Sequence, residues 1–305
     1  MRPLFARAVA EHEALMAEAD ALRYLRHTGW LKLYRSEHGF AATAPERALA
    51  AELGVSLRVL DADAARVLEP SLAPVFRHAV FWEKAASVSN PLAVTRAYAA
   101  RFAAIGGTTV RADAMSLHHR DKQWRVVTDE DPIDAPAAVV TLGPWAGDLL
   151  AALGIKLPLA VKRGYHLHCR PRGNAGLARP ILDADIGYFL APMEQGVRLT
   201  TGVEFAVRDA PASPVQFARL LPLATELFPL GEQVEQTPWL GARPCFADSR
   251  PAIGRAPGQP GLWLAIGHGH SGLTLGPATG RLLAEMMSDA TPFCDPAPYA
   301  AERFG

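Results

Sequence analysis

Residues 236–287 read QTPWLGARPCFADSRPAIGRAPGQPGLWLAIGHGHSGLTLGPATGRLLAEMM. Within this stretch Gly261 to Ile266 is an apolar run of strand length. It ends abruptly in Gly267-His268-Gly269-His270-Ser271-Gly272, after which an apolar helical pattern begins. The spacing predicts a strand, a glycine-rich turn and a helix. Pro277 suits a first helical turn, where its missing N–H would be unpaired anyway, and Leu282, Leu283, Met286 and Met287 form a one-sided apolar stripe. The helix then aims its N–H groups at the turn, a setting for an anion or an electron-rich ring oxygen, and the glycines let a flat ligand approach the main chain. A glycine turn alone is shared by many α/β connections that bind nothing.

The 305 residues are 50% hydrophobic, enough to bury a large core and to build two intertwined domains. Lys plus Arg and Asp plus Glu are equal at 31 each, so no net field favours nucleic acid or anionic lipid. No apolar stretch has transmembrane length and no signal-peptide core opens the chain, which predicts an intracellular protein, cytoplasmic or peripheral at the inner membrane. Cys169, Cys245 and Cys294 are few and widely spaced, the pattern of free thiols.

Upstream, residues 4–25 repeat apolar side chains at steps of three or four, predicting a helix ended by Gly29. Trp30 to Tyr34 alternates as a strand, Thr43 opens a short helix closed by Gly54, and another follows Asp61. Asn90-Pro91 caps a helix reaching Gly106-Gly107, and Val110 to Ala114 reads as a strand. Ala137 to Leu142 is a continuous apolar run, the mark of a buried strand ending in a turn at Gly143. Residues 165–204 read as antiparallel strands, including a hairpin from Tyr188 to Glu204, and Leu220 to Phe228 as a helix covering that sheet.

The order Gly241-Ala242-Arg243-Pro244, Asp248, Pro251, Ile253-Gly254-Arg255 and the glycine turn resembles the C-terminal signature of the D-amino-acid oxidase/dehydrogenase family of FAD enzymes, most of all its bacterial D-amino-acid dehydrogenases. Val139 to Ala146 and Val161-Lys162-Arg163-Gly164-Tyr165 are similar to two further family segments, and Gly29-Trp30-Leu31 extends the likeness toward the N-terminus. The resemblance implies a mixed α/β (α+β) fold, with an incomplete FAD/NAD(P)-binding-like domain from residues 1–29, 80–157 and 241–292. An interleaved antiparallel-sheet substrate domain would come from 30–79 and 158–240. A strand, a G-x-G-x-x-G turn and a helix ordinarily open such a chain. Neither Gly106-Gly107 nor Gly267-His268-Gly269 supplies that unit in its usual context, so the expectation is a family member shorn of its N-terminal part.

What the resemblance implies chemically is oxidation of a D-amino acid by hydride transfer from Cα to the flavin of FAD, giving an imine that hydrolyses to a 2-oxo acid and ammonia. The electron acceptor, oxygen or a membrane quinone, is left open. Arg243 takes the position of the carboxylate clamp, a task that suits a planar fork keeping its charge when desolvated. Tyr165 and Tyr188 are candidates to hydrogen-bond the carboxylate or line the side-chain pocket. The cofactor-binding candidates are Thr141, Gly143 and Trp145, then Gly267, His268, Gly269, His270, Ser271, Gly272, Leu273 and Thr274, whose backbone from Gly272 to Thr274 would donate to the flavin carbonyl edge. His166 and His168 share a strand face, but no carboxylate or cysteine at familiar spacing completes a metal set, and no metal is expected. The alternative is a catalytically silent, N-terminally truncated remnant or a small-acid binding module.

Overall fold

The computed structural model describes residues 1–213 and 215–305. The strands that matter here are β1 (Trp30–Tyr34), β2 (Leu57–Asp61), β3 (His78–Trp82), β4 (Ala138–Val140), β5 (Ala160–Pro171), β6 (Ile181–Asp183), β7 (Tyr188–Met193), β8 (Gly196–Thr200), β9 (Leu230–Gln233), β10 (Trp239–Cys245), β11 (Ala252–Arg255) and β12 (Leu262–Ile266). The helices are α1 (Arg2–Glu18), α2 (Pro91–Ala104), α3 (Val215–Leu227) and α4 (Gly272–Met287). The fold is mixed α/β.

The large sheet runs β9-β5-β8-β7-β6-β1-β3-β2, and β10 also pairs β5. Strand β5 is 12 residues long, so its C-terminal half pairs β9 while its N-terminal half pairs β10 from Ala160↔Cys245 to His166↔Trp239. Side chains alternate across the sheet. One face carries Leu31, Leu33, Tyr165, Leu167, Tyr188, Leu190 and Leu199 into a core closed by Phe217, Leu227 and Phe228 on and just after α3. Each such leucine or aromatic side chain contributes about 1.5–3 kcal/mol by leaving water. The other face carries Lys162, Gly164, His166, Arg198, Thr200, Trp239 and Arg243.

A second, three-stranded sheet has the order β11-β12-β4. Strict alternation in β12 sends Leu262, Leu264 and Ile266 into one core and Trp263 into another beneath α1 and α4. Helix α2 starts where the sequence predicts, with Asn90 accepting a hydrogen bond from the Ala93 N–H at 3.0 Å. No helix among the described residues is long and apolar enough to cross a membrane.

Several expectations are corrected. The first helix stops at Glu18, and Asp20 turns the chain with φ 51°. Val110 to Ala114 makes only an isolated bridge, Ala112↔Thr128, because the apolar Val110 side chain is exposed and finds no sheet to join. The run from Ala137 gives a shorter and only half-buried strand, the three-residue β4, which pairs β12 and carries Val140 buried and Val139 38% exposed before the turn at Gly143. Residues 165–204 are not purely antiparallel, since β6 pairs β1 in parallel. Helix α4 begins at Gly272, so Pro277 lies inside it instead of in its first turn.

Candidate functional site

Strand β10 brings Arg243 onto the sheet face opposite the large core, across from Lys162. Its guanidinium lies flat over Gly164. A Cβ at that glycine would collide with the guanidinium nitrogens, so only glycine leaves the room. The arginine is half-buried, and its protein partners are two carbonyls at the long end of hydrogen-bond range, Arg163 at 3.4 Å and Gly202 at 3.5 Å. No carboxylate pairs with it among the described residues. Burial therefore pulls its pKa below the ordinary guanidinium value, the mark of a cation desolvated without compensation.

The two tyrosines expected beside it are elsewhere. Tyr165 and Tyr188 are 3% and 1% exposed and point into the core on the other face of the sheet. Tyr165 donates to Glu204 at 2.9 Å and accepts from the Ser213 N–H at 2.9 Å and from Arg163 at 3.2 Å. Tyr188 donates to the Leu223 carbonyl at 3.3 Å. The reason is period two: Tyr165 is three places from Lys162 along β5, hence on the opposite side of the pleat from Arg243. Arg163 shares that hidden side, fully buried and ion-paired with Glu204 at 2.7 Å.

The glycine turn joins β12 to α4 and meets the clamp strand directly, through a backbone bridge between His268 and Cys245. Gly267 has φ 81°, and a Cβ there would strike the Phe246 ring, so this position needs glycine. Thr141, Gly143, Pro244, Gly267, His268, Gly269, Gly272, Gly276, Thr279 and Gly280 line a cleft of about 410 Å³. His268 Nε2 sits 3.0 Å from the Thr279 hydroxyl, and burial holds its ring neutral down to about pH 4. His270 and Trp145 are exposed and outside the cleft, and Ser271 is buried. Leu273 and Thr274 instead line a small hollow with His12, Ala8 and Val9 from α1.

Gly272 completes the G-x-G-x-x-G spacing begun by Gly267 and Gly269, and the turn lies between a strand and a helix. Among the described residues, α4 is followed by the 3₁₀ turns Ala297–Tyr299 and Ala301–Phe304. His166 and His168 do share the Arg243 face. His168 donates from Nδ1 to Glu235 and accepts at Nε2 from Arg198 at 3.0 Å, so both its ring nitrogens are engaged by protein groups. Glu235 is not legible as a partner from the sequence because it reaches His168 from 67 residues away.

A family model described as FAD dependent oxidoreductase, DAO, matches residues 1–286. The D-amino-acid oxidase of Bradyrhizobium diazoefficiens is 31% identical over 309 aligned positions, covering 100% of this chain and 73% of that relative. The glycine oxidase of Pseudomonas putida is 30% identical over 300 positions, covering 95% of this chain and 78% of its own length. In fold, the crystal structure of glycine oxidase from Geobacillus kaustophilus superimposes with a TM-score of 0.84 at 24% identity, over 98% of this chain and 81% of that one. With a family match running from the first residue into α4, and with the clamp strand and glycine turn inside it, the chain belongs to the DAO family of FAD-dependent oxidoreductases.

Proposed function

We propose that the chain acts in the oxidation of D-amino acids to 2-oxo acids and ammonia, with Arg243 holding the substrate carboxylate. The observation that carries this reading is the guanidinium over Gly164, desolvated and without an acidic partner among the described residues. A carboxylate binding there gains charge-assisted, bidentate hydrogen bonds, each stronger than a neutral one, and relieves an uncompensated buried charge. The kinship with a D-amino-acid oxidase supports the D-amino-acid assignment, and the kinship with a glycine oxidase supports an amino acid as the substrate class.

FAD is the cofactor that membership of the family implies, and the cleft fits part of it. Added Cβ atoms at Gly143, Gly276 and Gly280 would meet only open space, so a flat ring has room against the main chain. The lining includes no lysine or arginine, so the cleft suits a neutral ring and offers a diphosphate no cation. FAD, when bound, would supply the acceptor for the hydride leaving Cα. The chain's own part is orientation: Arg243 fixes the carboxylate, and the Cys245–His268 bridge ties the clamp strand to the turn. We assign the first-turn N–H groups from Gly272 to Thr274 as donors to a ring carbonyl, with the cleft reaching this turn at Gly272. No side-chain base is required if the amine arrives neutral. We assign the ring-binding part to residues 1–29, 80–157 and 241–292, and the substrate part to 30–79 and 158–240.

The cation-free cleft favours a second reading, a small-acid binding protein without redox activity. Anaerobic addition of D-alanine or D-phenylalanine to the full chain supplied with FAD separates the two. The first reading expects loss of the visible flavin absorbance with D- but not L-isomers, whereas acid binding without bleaching supports the second.

A further inference from the structure

Beside the clamp the same sheet face carries a line of flat side chains. Trp239 pairs in register with His166, His166 with Thr200, and Thr200 with Phe189, so the four lie in one row across β10, β5, β8 and β7. The Trp239 and His166 rings are stacked, with centroids 4.7 Å apart and planes at 27°. The indole also leans over Gly241, where a Cβ would collide with it. Gly241 is the register partner of Gly164, the glycine beneath Arg243. Indole and guanidinium therefore lie side by side over two paired glycines, about 5 Å apart by the spacing of paired residues.

Trp239 is 58% exposed and Phe189 40% exposed, although Tyr165, Leu167, Leu190 and Leu199 on the opposite face of the sheet are buried. Exposed aromatics next to a cation without an acidic partner among the described residues mark a site for something part apolar and part anionic. Burial, with Arg198 and His168 nearby, holds the His166 ring neutral down to about pH 4, so the row is uncharged at neutral pH. The competing idea, that Arg198 takes a second carboxylate, fails on distance. Arg198 is in register with His168, four residues along β5 from Gly164, roughly 13 Å at about 3.3 Å per residue. That exceeds the span of an amino dicarboxylate, and Arg198 Nε is already used on His168.

We infer that Trp239 and the His166 ring stacked on it form the side-chain subsite of the Arg243 site and select acids bearing a bulky, flat, apolar group. The inference rests on the clamp reading of Arg243. With the carboxylate over Gly164, the next few carbons of the ligand pass onto the indole over Gly241. A small side chain leaves the row uncovered.

Titration calorimetry of the full chain with 3-phenylpropanoate, propanoate and glutarate tests this without assuming a stereochemistry. The expected result is phenylpropanoate bound at least about tenfold more tightly than either other acid, the scale of one good ring contact. Trp239→Ala should bring the phenylpropanoate-to-propanoate ratio close to one, and Trp239→Phe should restore most of it. Because the indole is exposed, the ratio can be read in folded protein, checked by an unchanged melting curve. Equal affinities in the natural chain, or tightest binding of glutarate, overturn the subsite while leaving the clamp standing. Failure of all three acids to bind overturns both.

Discussion

His12 Nε2 donates to the carbonyl of Leu273 at 2.8 Å, the carbonyl that Pro277 leaves without its helical partner. In α4 the N–H of residue 277 would ordinarily bond the carbonyl four places back, and proline has none. A carbonyl only accepts, so the proton is on Nε2, and Nδ1 accepts from the Tyr98 hydroxyl at 2.8 Å. One buried imidazole thus joins α1, α2 and the first turns of α4, next to the glycine turn.

His12→Ala should destabilise the protein by about 1–3 kcal/mol, the cost of orphaning a buried acceptor and a hydroxyl. Adding Pro277→Ala should recover about 1 kcal/mol by giving Leu273 a helical donor. Urea denaturation of the single and double variants measures both. Equal stability of His12→Ala and the natural chain would show that water replaces the imidazole at no cost.

Tyr165→Phe should lower stability by about 1–3 kcal/mol, because Ser213 and Glu204 each lose a buried partner. Affinity for carboxylic acids should not change, since the hydroxyl lies across the sheet from Arg243. Tyr188→Phe should behave alike with a smaller loss, having one 3.3 Å bond to give up. Denaturation and acid titration of the same samples decide the matter, and a weakened acid affinity in either variant would return that tyrosine to the site.

Acid should act through His268. Its folded pKa of about 4 lies below the ordinary value of 6.5, so the unfolded chain binds more protons between those limits. Stability from this ring is full above pH 6.5 and is lost as pH falls toward 4, by up to about 3 kcal/mol. His268→Gln should therefore show a shallower fall over that window than the natural chain, as read from urea midpoints at several pH values. Parallel curves would mean that the ring is not held neutral by the fold.

The strands and helices were legible wherever burial imposed a period. β1 alternates in the sequence, β12 stands out as an apolar run of strand length, and Asn90-Pro91 announces its helix by a capping oxygen. Val110 to Ala114 carries one β-branched residue, Val110, and makes only an isolated bridge, since propensity without pairing makes no sheet. Of the site, Arg243 and the glycine turn could be read because proline and glycine punctuate them. The tyrosines were misplaced because residue type says nothing about which side of a pleat a residue takes, and only the pairing of Lys162 with Arg243 fixes that. The roles of His12 and Trp239 are not legible in the sequence for a different reason. Their roles depend on contacts with Leu273 and Gly241 that appear only when the chain is folded.

The most direct test of the account is carboxylate binding by Arg243→Ala and Arg243→Lys, measured by titration calorimetry alongside the natural chain. Removing the fork should cost roughly 1.5–3 kcal/mol or more of acid affinity, about ten- to a hundredfold, with the melting curve unchanged. Lysine should recover only part of it, because a single point charge cannot fix the acid's orientation over Gly164. Natural affinity in folded Arg243→Ala protein would contradict the clamp, as would a loss of folding in place of a loss of binding.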